Sequence, residues 1–171
     1  LMQQMENVRV GAGSTIDDGA TVGHEYDPEA GPTVLGMETT IRAGSIIYAD
    51  VTAGDRFTTG HGVLVREHTE LGDDVLVGTN VVIDGQTTVG SAVSLQSNAY
   101  VPRETEIGDQ VFIGPGAVLT NDPYPVRTDA TLTGPTLADG VSVGANATVL
   151  PGVSVGEDSF VAAGAVVCED V

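Results

Sequence analysis

Residues 65–119, VREHTELGDDVLVGTNVVIDGQTTVGSAVSLQSNAYVPRETEIGDQVFIGPGAVL, decide the fold. From Val65 an aliphatic side chain returns at every sixth position: Leu71, Val77, Ile83, Val89, Leu95, Val101, Ile107, Ile113 and Leu119. Four residues after each aliphatic stands a small or β-branched residue, among them Thr69, Val75, Val81, Thr87, Val93 and Ala99. Glycine often follows the aliphatic directly, as at Gly72, Gly78, Gly90, Gly108 and Gly114. Self-similarity at a fixed period marks a solenoid. The six-residue unit reads as a short strand and a turn, with the aliphatic inward, the small residue at a cramped corner, and glycine or aspartate in turn conformations that Cβ atoms disfavour. One rung cannot bury its own apolar side, so rungs must stack into a continuous core.

The same step resumes downstream at Leu137, Val143, Val149, Val155, Val161 and Val167. Upstream it is less regular, with the sets Val10–Ile16–Val22, Leu35–Ile41–Ile47 and Val51–Phe57–Val63. Two segments interrupt the phase. Residues 24–33 (HEYDPEAGPT) separate Val22 from Leu35, and residues 120–136 (TNDPYPVRTDATLTGPT) put Pro125 and Thr131 where aliphatics are due. Both read as loops, and long loops on rigid scaffolds carry function more often than their share. The expected organisation is one domain over 1–171, with irregular coils at 8–63, regular coils at 65–119, an extruded loop at 120–136 and further coils at 137–171.

Composition agrees and narrows the partners. Valine numbers 26, leucine 10 and isoleucine 7, glycine 23, and there is no tryptophan. That is strand-and-turn composition, and no window carries a clean 3.6-residue stripe. The 171 residues hold 24 acidic and 6 basic side chains, all of the latter arginine, for a formal charge of −18. Such a balance repels nucleic acid and anionic membranes. No apolar run reaches the length of a membrane span, and no basic leader opens the sequence, so a cytoplasmic protein is expected. The lone Cys168 excludes an intrachain disulfide and fits a reducing compartment.

The pattern aliphatic–Gly–x–x–small–x resembles the hexapeptide-repeat acyltransferases. That resemblance implies an all-β, left-handed parallel β-helix with three hexapeptides per triangular coil, assembled as a homotrimer with sites in the grooves between neighbouring helices. Within the group, three segments are similar to the N-acetyltransferases that act on nucleotide-linked amino sugars: His61 with Val65-Arg66-Glu67, Gln96-Ser97-Asn98, and residues 119–125 (LTNDPYP). Residues 134–136 and 143–146 add to the likeness. It implies acetyl transfer from acetyl-CoA to a sugar amine. The group is expected to continue past a segment such as residues 166–171 into a Pro-rich tail.

The residue chemistry yields candidates beside that resemblance. An amine attacking a thioester must arrive unprotonated, and preorganised donors must hold the oxyanion. A sugar amine is a weaker base than lysine, so a neutral amide such as Asn98 would suffice to position it. Asn80 precedes Asn98 by three hexapeptides, one full coil, and the two should stack; an asparagine ladder satisfying turn groups has the same signature. His61 and His68 are candidate bases, and His68, Gln86 and Glu104, each one coil after the last, form a polar column. By the resemblance, Gln96, Asn121, Asp122 and Tyr124 are candidate substrate contacts, together with Asn80 and Arg127. Arg103 and Arg127 are candidates for phosphates, which arginine binds bidentately. By the resemblance, Gly144, Ala145, Ala162, Ala163 and Gly164 would line the path of acetyl-CoA, although small corner residues have a purely structural use as well. No metal is expected. His61 and His68 are seven apart, so the paired histidines of the γ-type carbonic anhydrases, another hexapeptide class, are missing. Transfer to a sugar or serine hydroxyl with a histidine base and a non-catalytic trimeric scaffold complete the alternatives. Both expected substrates are anions, so the acidity fits a cytoplasm that accumulates salt better than it fits either substrate.

Overall fold

The computed structural model describes residues 7–171. Among them there is no helix, only short strands joined by tight turns into three parallel sheets of 8 strands. The chain visits the sheets in rotation. The first sheet runs from Val8–Val10 to Ser154–Val155, the second from Thr15–Ile16 to Phe160–Val161, and the third from Thr21–His24 to Val166–Val167. Each strand pairs with the strand one turn later: Thr69 lies beside Thr87, Leu76 beside Ser94 and Val82 beside Tyr100. Each of these pairs is separated by three hexapeptides. Three hexapeptides therefore close one triangular coil, and the fold is a left-handed parallel β-helix.

The inward side of the regular coils is buried. Leu71, Val77, Ile83, Leu95, Val101, Ile113 and Leu119 are shielded from solvent, and so are the residues four positions after them, such as Val75, Val81 and Ala99. The six-residue step also runs unbroken from Leu35 to Val65, within the stretch that the sequence reads as irregular. Between Ile47 and Val65 the inward positions are Ala53 and Thr59, both buried. Val51, Phe57 and Val63 are not a separate set of rungs. They sit in the corner columns that continue into Thr69, Val75 and Val81. Large and small have exchanged places there: Phe57 fills the volume that Ala53 and Thr59 give up, which keeps the interior close-packed. In the first corner column Thr33, Thr69, Thr87 and Thr105 are buried with their hydroxyls donating to backbone carbonyls.

The glycines after the aliphatics also differ from the sequence reading. Gly72, Gly90 and Gly108 do not have positive φ; the left-handed turn positions are filled mainly by other residues, including Asp74 (φ 56°), Asn80 (φ 58°) and Asn98 (φ 63°). What Gly90 provides is room. A Cβ there would strike the Asp109 carboxylate and the backbone of Gly108 in the next coil.

Both interruptions leave the edge where the third sheet turns into the first. Val8 pairs with Thr33 and Glu106 with Thr136, in each case with a loop added to the three hexapeptides that normally separate partners. The first loop is pinned to the coil beneath it, with the Gly31 amide donating to Asp50 Oδ1 (2.8 Å). The second is closed at its base by the Thr133 amide donating to the Asn121 carbonyl (2.8 Å), while Pro125 and Thr131 stand exposed.

Candidate functional site

The three edges of the prism have different chemistry, and two of them border the third sheet. On the edge between the second and third sheets lie His61, then Asn80, then Gln96 and Asn98, in successive coils. The amide of Asn80 donates to the His61 carbonyl (2.9 Å), and that of Asn98 to the Thr79 carbonyl (2.9 Å). Asn80 and Asn98 stack as their spacing predicts, both exposed and both in the left-handed region, which asparagine tolerates better than most residues. The asparagine ladder and a pair of amides presented to solvent are thus the same arrangement. His61 is exposed, with Nδ1 3.3 Å from the Ala43 carbonyl; Gln96 donates to the Ser94 hydroxyl (2.6 Å).

Gly144, Ala145, Ala162, Ala163 and Gly164 continue the same edge. Gly144 has a structural cause for its size, since a Cβ would collide with the backbone of Ala162 and Ala163, and Gly164 occupies a turn at φ 72° with open space around it. Adjacent strands are about 4.8 Å apart, so Ala163 lies ~14 Å along the edge from Asn98.

The edge between the third and first sheets holds the denser polar cluster. Asp50, His68, Gln86 and Glu104 form one column, all at positive φ, with the His68 amide donating to the Asp50 carbonyl (2.9 Å). The first loop folds back onto this column. Tyr26 Oη donates to Asp50 Oδ2 (2.6 Å) and lies 3.2 Å from His68 Nε2. The hydrogen bond to the Asp50 carboxylate, aided by partial desolvation, pushes the Tyr26 phenol up to about 12. Tyr48 packs against His24 (centroids 4.6 Å) and stacks on Tyr26 (6.2 Å), and its ring covers the Arg66 guanidinium at 5.7 Å.

Arg66 joins the buried Glu67 (2.9 Å) to Asp84 (3.2 Å). Burial works against the Arg66 charge, but its hydrogen bonds to Glu67 and Asp84 outweigh that and hold the guanidinium above its ordinary value. Tyr100 reaches Asp84 at 3.4 Å, and burial and that carboxylate raise its phenol. Arg103 donates to Gln86 Oε1, and Asn121 Nδ2 donates to the Arg103 carbonyl (3.1 Å). Asp122 caps the turn by accepting from the Tyr124 amide (2.9 Å), while Tyr124 and Arg127 stand exposed on the second loop.

The sequence candidates therefore divide. His61, Asn80, Gln96 and Asn98 share one edge with the small-residue lane, and His68 shares the other with Arg103, Asn121, Asp122, Tyr124 and Arg127. Sequence reasoning missed Tyr26, Tyr48 and Asp50. Asp50 was detectable, since it precedes His68 by one full coil; Tyr26 was not, because a loop has no period to place it. His61 and His68 lie on different edges, and among the described residues no three His, Cys, Asp or Glu side chains converge as a metal ion would require.

A stack of six-residue rungs, with polar edges and two loops, makes this a left-handed parallel β-helix of hexapeptide repeats. Residues 134–169 match the family model for the bacterial transferase hexapeptide (six repeats). No curated protein sequence matches the chain. Among solved structures it is similar to the UDP-N-acetylglucosamine acyltransferase of Arabidopsis, with 14% identity, a TM-score of 0.55, and coverage of 98% of this chain and 68% of that one. The acetyltransferase domain of PglB from Neisseria gonorrhoeae gives 20% identity and a TM-score of 0.51, covering 87% of this chain and 54% of that domain. A UDP-N-acetylglucosamine acyltransferase from Francisella novicida gives 20% identity and a TM-score of 0.45, covering 96% and 62%. The chain thus spans less than two thirds of the two bacterial structures.

Proposed function

We propose that this chain is an acetyl-CoA-dependent acyltransferase that acetylates an amino group on a nucleotide-linked sugar. The observation that carries the reading is the shared edge. The amides of Gln96 and Asn98 and the imidazole of His61 lie on the same line as the small-residue lane at 144–145 and 162–164. A thioester laid along that lane with its acyl group near Asn98 would meet an amine held by these amides. The amine nitrogen bonds to the acyl carbon, the C–S bond breaks, and the ammonium proton passes to water or to the departing thiolate. The Arabidopsis acyltransferase and the gonococcal acetyltransferase domain, which share the fold, support acyl transfer as the class of reaction.

Assembly as a homotrimer is part of the proposal, and the outward faces support it. The third sheet shows Ile46, Leu64, Val82, Tyr100, Val118, Thr148 and Val166, whereas the first shows Thr52, Glu70, Thr88, Glu106, Thr136 and Ser154. Ile46, Val118 and Val166 are exposed, and the apolar run from Ile46 to Val118, followed by Thr148 and Val166, supports an interface. The third sheet lies between both candidate edges, so a second copy seated on it would turn each edge into the wall of a groove. The charge of −18 per protomer and the absence of lysine support a cytoplasm of high salt as the working environment.

A second reading has its own observation. His68 is held by Tyr26 and Asp50, and a held imidazole suits transfer to a hydroxyl, which needs a stronger base than an amine does. Thiol release from acetyl-CoA, measured against nucleotide-linked amino sugars and hydroxy sugars at low and high KCl, tests both readings. Release with amino acceptors alone is expected. Release only with hydroxy acceptors would replace the first reading by the second, and none with any acceptor would overturn both.

A further inference from the structure

We infer that Tyr26 is a positioning residue that fixes the tautomer of His68, so that the imidazole presents a bare Nδ1 as the proton acceptor of the third-to-first-sheet edge. The inference rests on the second reading above, transfer to a hydroxyl with His68 at the reacting centre, and its argument is geometric. A phenol has one proton. At 2.6 Å from Asp50 Oδ2 that proton belongs to the carboxylate contact, because an ionised carboxylate can only accept. The Tyr26 oxygen is then left with lone pairs toward His68 Nε2 at 3.2 Å, so Nε2 must be the donor. A neutral imidazole carrying its proton on Nε2 has its lone pair on Nδ1, which makes no hydrogen bond among the described residues.

The surroundings keep Tyr26 in that role. Its phenol stays protonated across the physiological range because the Asp50 carboxylate disfavours the phenolate. Asp50 is itself fixed from two sides, since its other oxygen accepts from the Gly31 amide of the same loop (2.8 Å). Tyr48 stacks beneath Tyr26, and the His68 ring meets Tyr26 edge-on at 82°. Of the other charged groups at this corner, Arg66, Glu67 and Asp84 are paired with one another, and Asp27 acts on the phenol through its charge alone.

The proton balance follows. An acceptor O–H gives its proton to His68 Nδ1 while its heavy atom bonds to the acyl carbon. As the C–S bond breaks, the thiolate takes that proton from Nδ1. The Nε2 proton stays with Tyr26 throughout, and Asp50, through the phenol, holds the transient imidazolium in register.

The test separates the tautomer from the activity. In full-length protein with nitrogen-15 histidine, the three histidines give separable imidazole signals, and His68→Gln identifies which belong to His68. In its neutral form, the wild-type imidazole should show Nε2 protonated and Nδ1 bare. In Tyr26→Phe the two shifts should move toward each other as the tautomers mix. Should that variant not fold, Asp50→Asn carries the same test. A protonated Nδ1 in wild type, or unmoved shifts in the folded variant, overturns the inference. Turnover of acetyl-CoA with a UDP-linked hydroxy sugar supplies the second readout. Tyr26→Phe should lower kcat on the order of tenfold to a hundredfold with KM little changed, as expected for misplacing a group without removing it. Moved shifts with unchanged kcat uphold the tautomer assignment and overturn the placing of His68 at the reacting centre.

Discussion

Asp73 Oδ1 accepts the backbone N–H of Asp55, one coil before it, at 2.8 Å. The contact is one step of a ladder along the edge between the first and second sheets. Met37 donates to Asp55, Asp73 to Ser91, Ser91 to Asp109, and Asp109 to Asp139, each through the backbone amide at 2.7–3.0 Å. These amides belong to turn residues, which the sheet hydrogen bonds do not reach, and a side chain from the next coil supplies their acceptor. Part of the acidity thus has a structural use. Asp109→Ala should destabilise the protein by about 1 kcal/mol by leaving the Ser91 amide to water. Asp109→Ser should cost much less, because Ser91 already performs the same task with a neutral oxygen. Equal losses in the two variants, measured by denaturant unfolding, would mean that the ladder contributes nothing.

The glycines beside the ladder make a second prediction. Gly90→Ala has to displace a carboxylate and backbone of the next coil, and overpacking of that kind costs about 1–3 kcal/mol. Gly19 is the opposite case, with φ 84° and nothing within 4 Å of a Cβ, so Gly19→Asn should cost only a few tenths to about 1 kcal/mol. The comparison is made by thermal unfolding of the two variants, and a larger loss at Gly19 would reverse the assignment of roles.

These two residue types show where the sequence could be read and where it could not. The period of six needs only the identity of inward residues, so the coil, the sheets and both loops are legible from Val65, Leu71 and Val77 onward. The Ala53 and Thr59 rungs escape notice because packing constrains the sum of volumes in a coil, not the residue at one position; Phe57 makes up what they lack. The candidate amides Asn80 and Asn98 are legible for the same reason as the core, being one coil apart. Tyr26 is not, since its place depends on the path of a loop that only the Gly31–Asp50 contact and its neighbours determine. Nor does spacing tell that His68 and Asn98 turn to different edges until each coil is divided among its three corners.

Tyr26 gives a pH dependence whose sign can be stated. Its phenol is raised from the ordinary 10.0 to about 12, chiefly by the hydrogen bond to Asp50. A group raised on folding stabilises the folded state fully below its unfolded value, and that contribution is lost as pH rises through the folded one. The first loop should therefore loosen between pH 10 and about 12. Tyrosinate absorbance should show late titration from both Tyr26 and Tyr100 among the four tyrosines, and Asp50→Asn should bring only the Tyr26 component back toward 10.0. A wild-type titration with no late component would contradict the Tyr26–Asp50 contact in solution.

Salt ties the ladder to the assembly. Asp55 and Asp73 are stacked about one strand spacing apart, ~4.8 Å, as are Asp109 and Asp139, and each pair repels while it holds its amides. In dilute buffer that repulsion reaches across a Debye length of about 10 Å; at about 1 M salt the length falls to ~3 Å, shorter than the spacing. Stability of the coil should therefore rise with KCl, and Asp73→Ser, which keeps an acceptor and removes one charge of a pair, should flatten the rise. Association should follow the same course, since each protomer brings a charge of −18 to the interface. Val82→Glu, which puts a charge in the middle of the apolar third-sheet face, should abolish association at every salt concentration while leaving the coil folded. Light scattering against KCl reads both effects. If wild type associates equally well without salt, the acidity is unrelated to the solvent; if Val82→Glu still associates, the third sheet is not the face that a second copy covers.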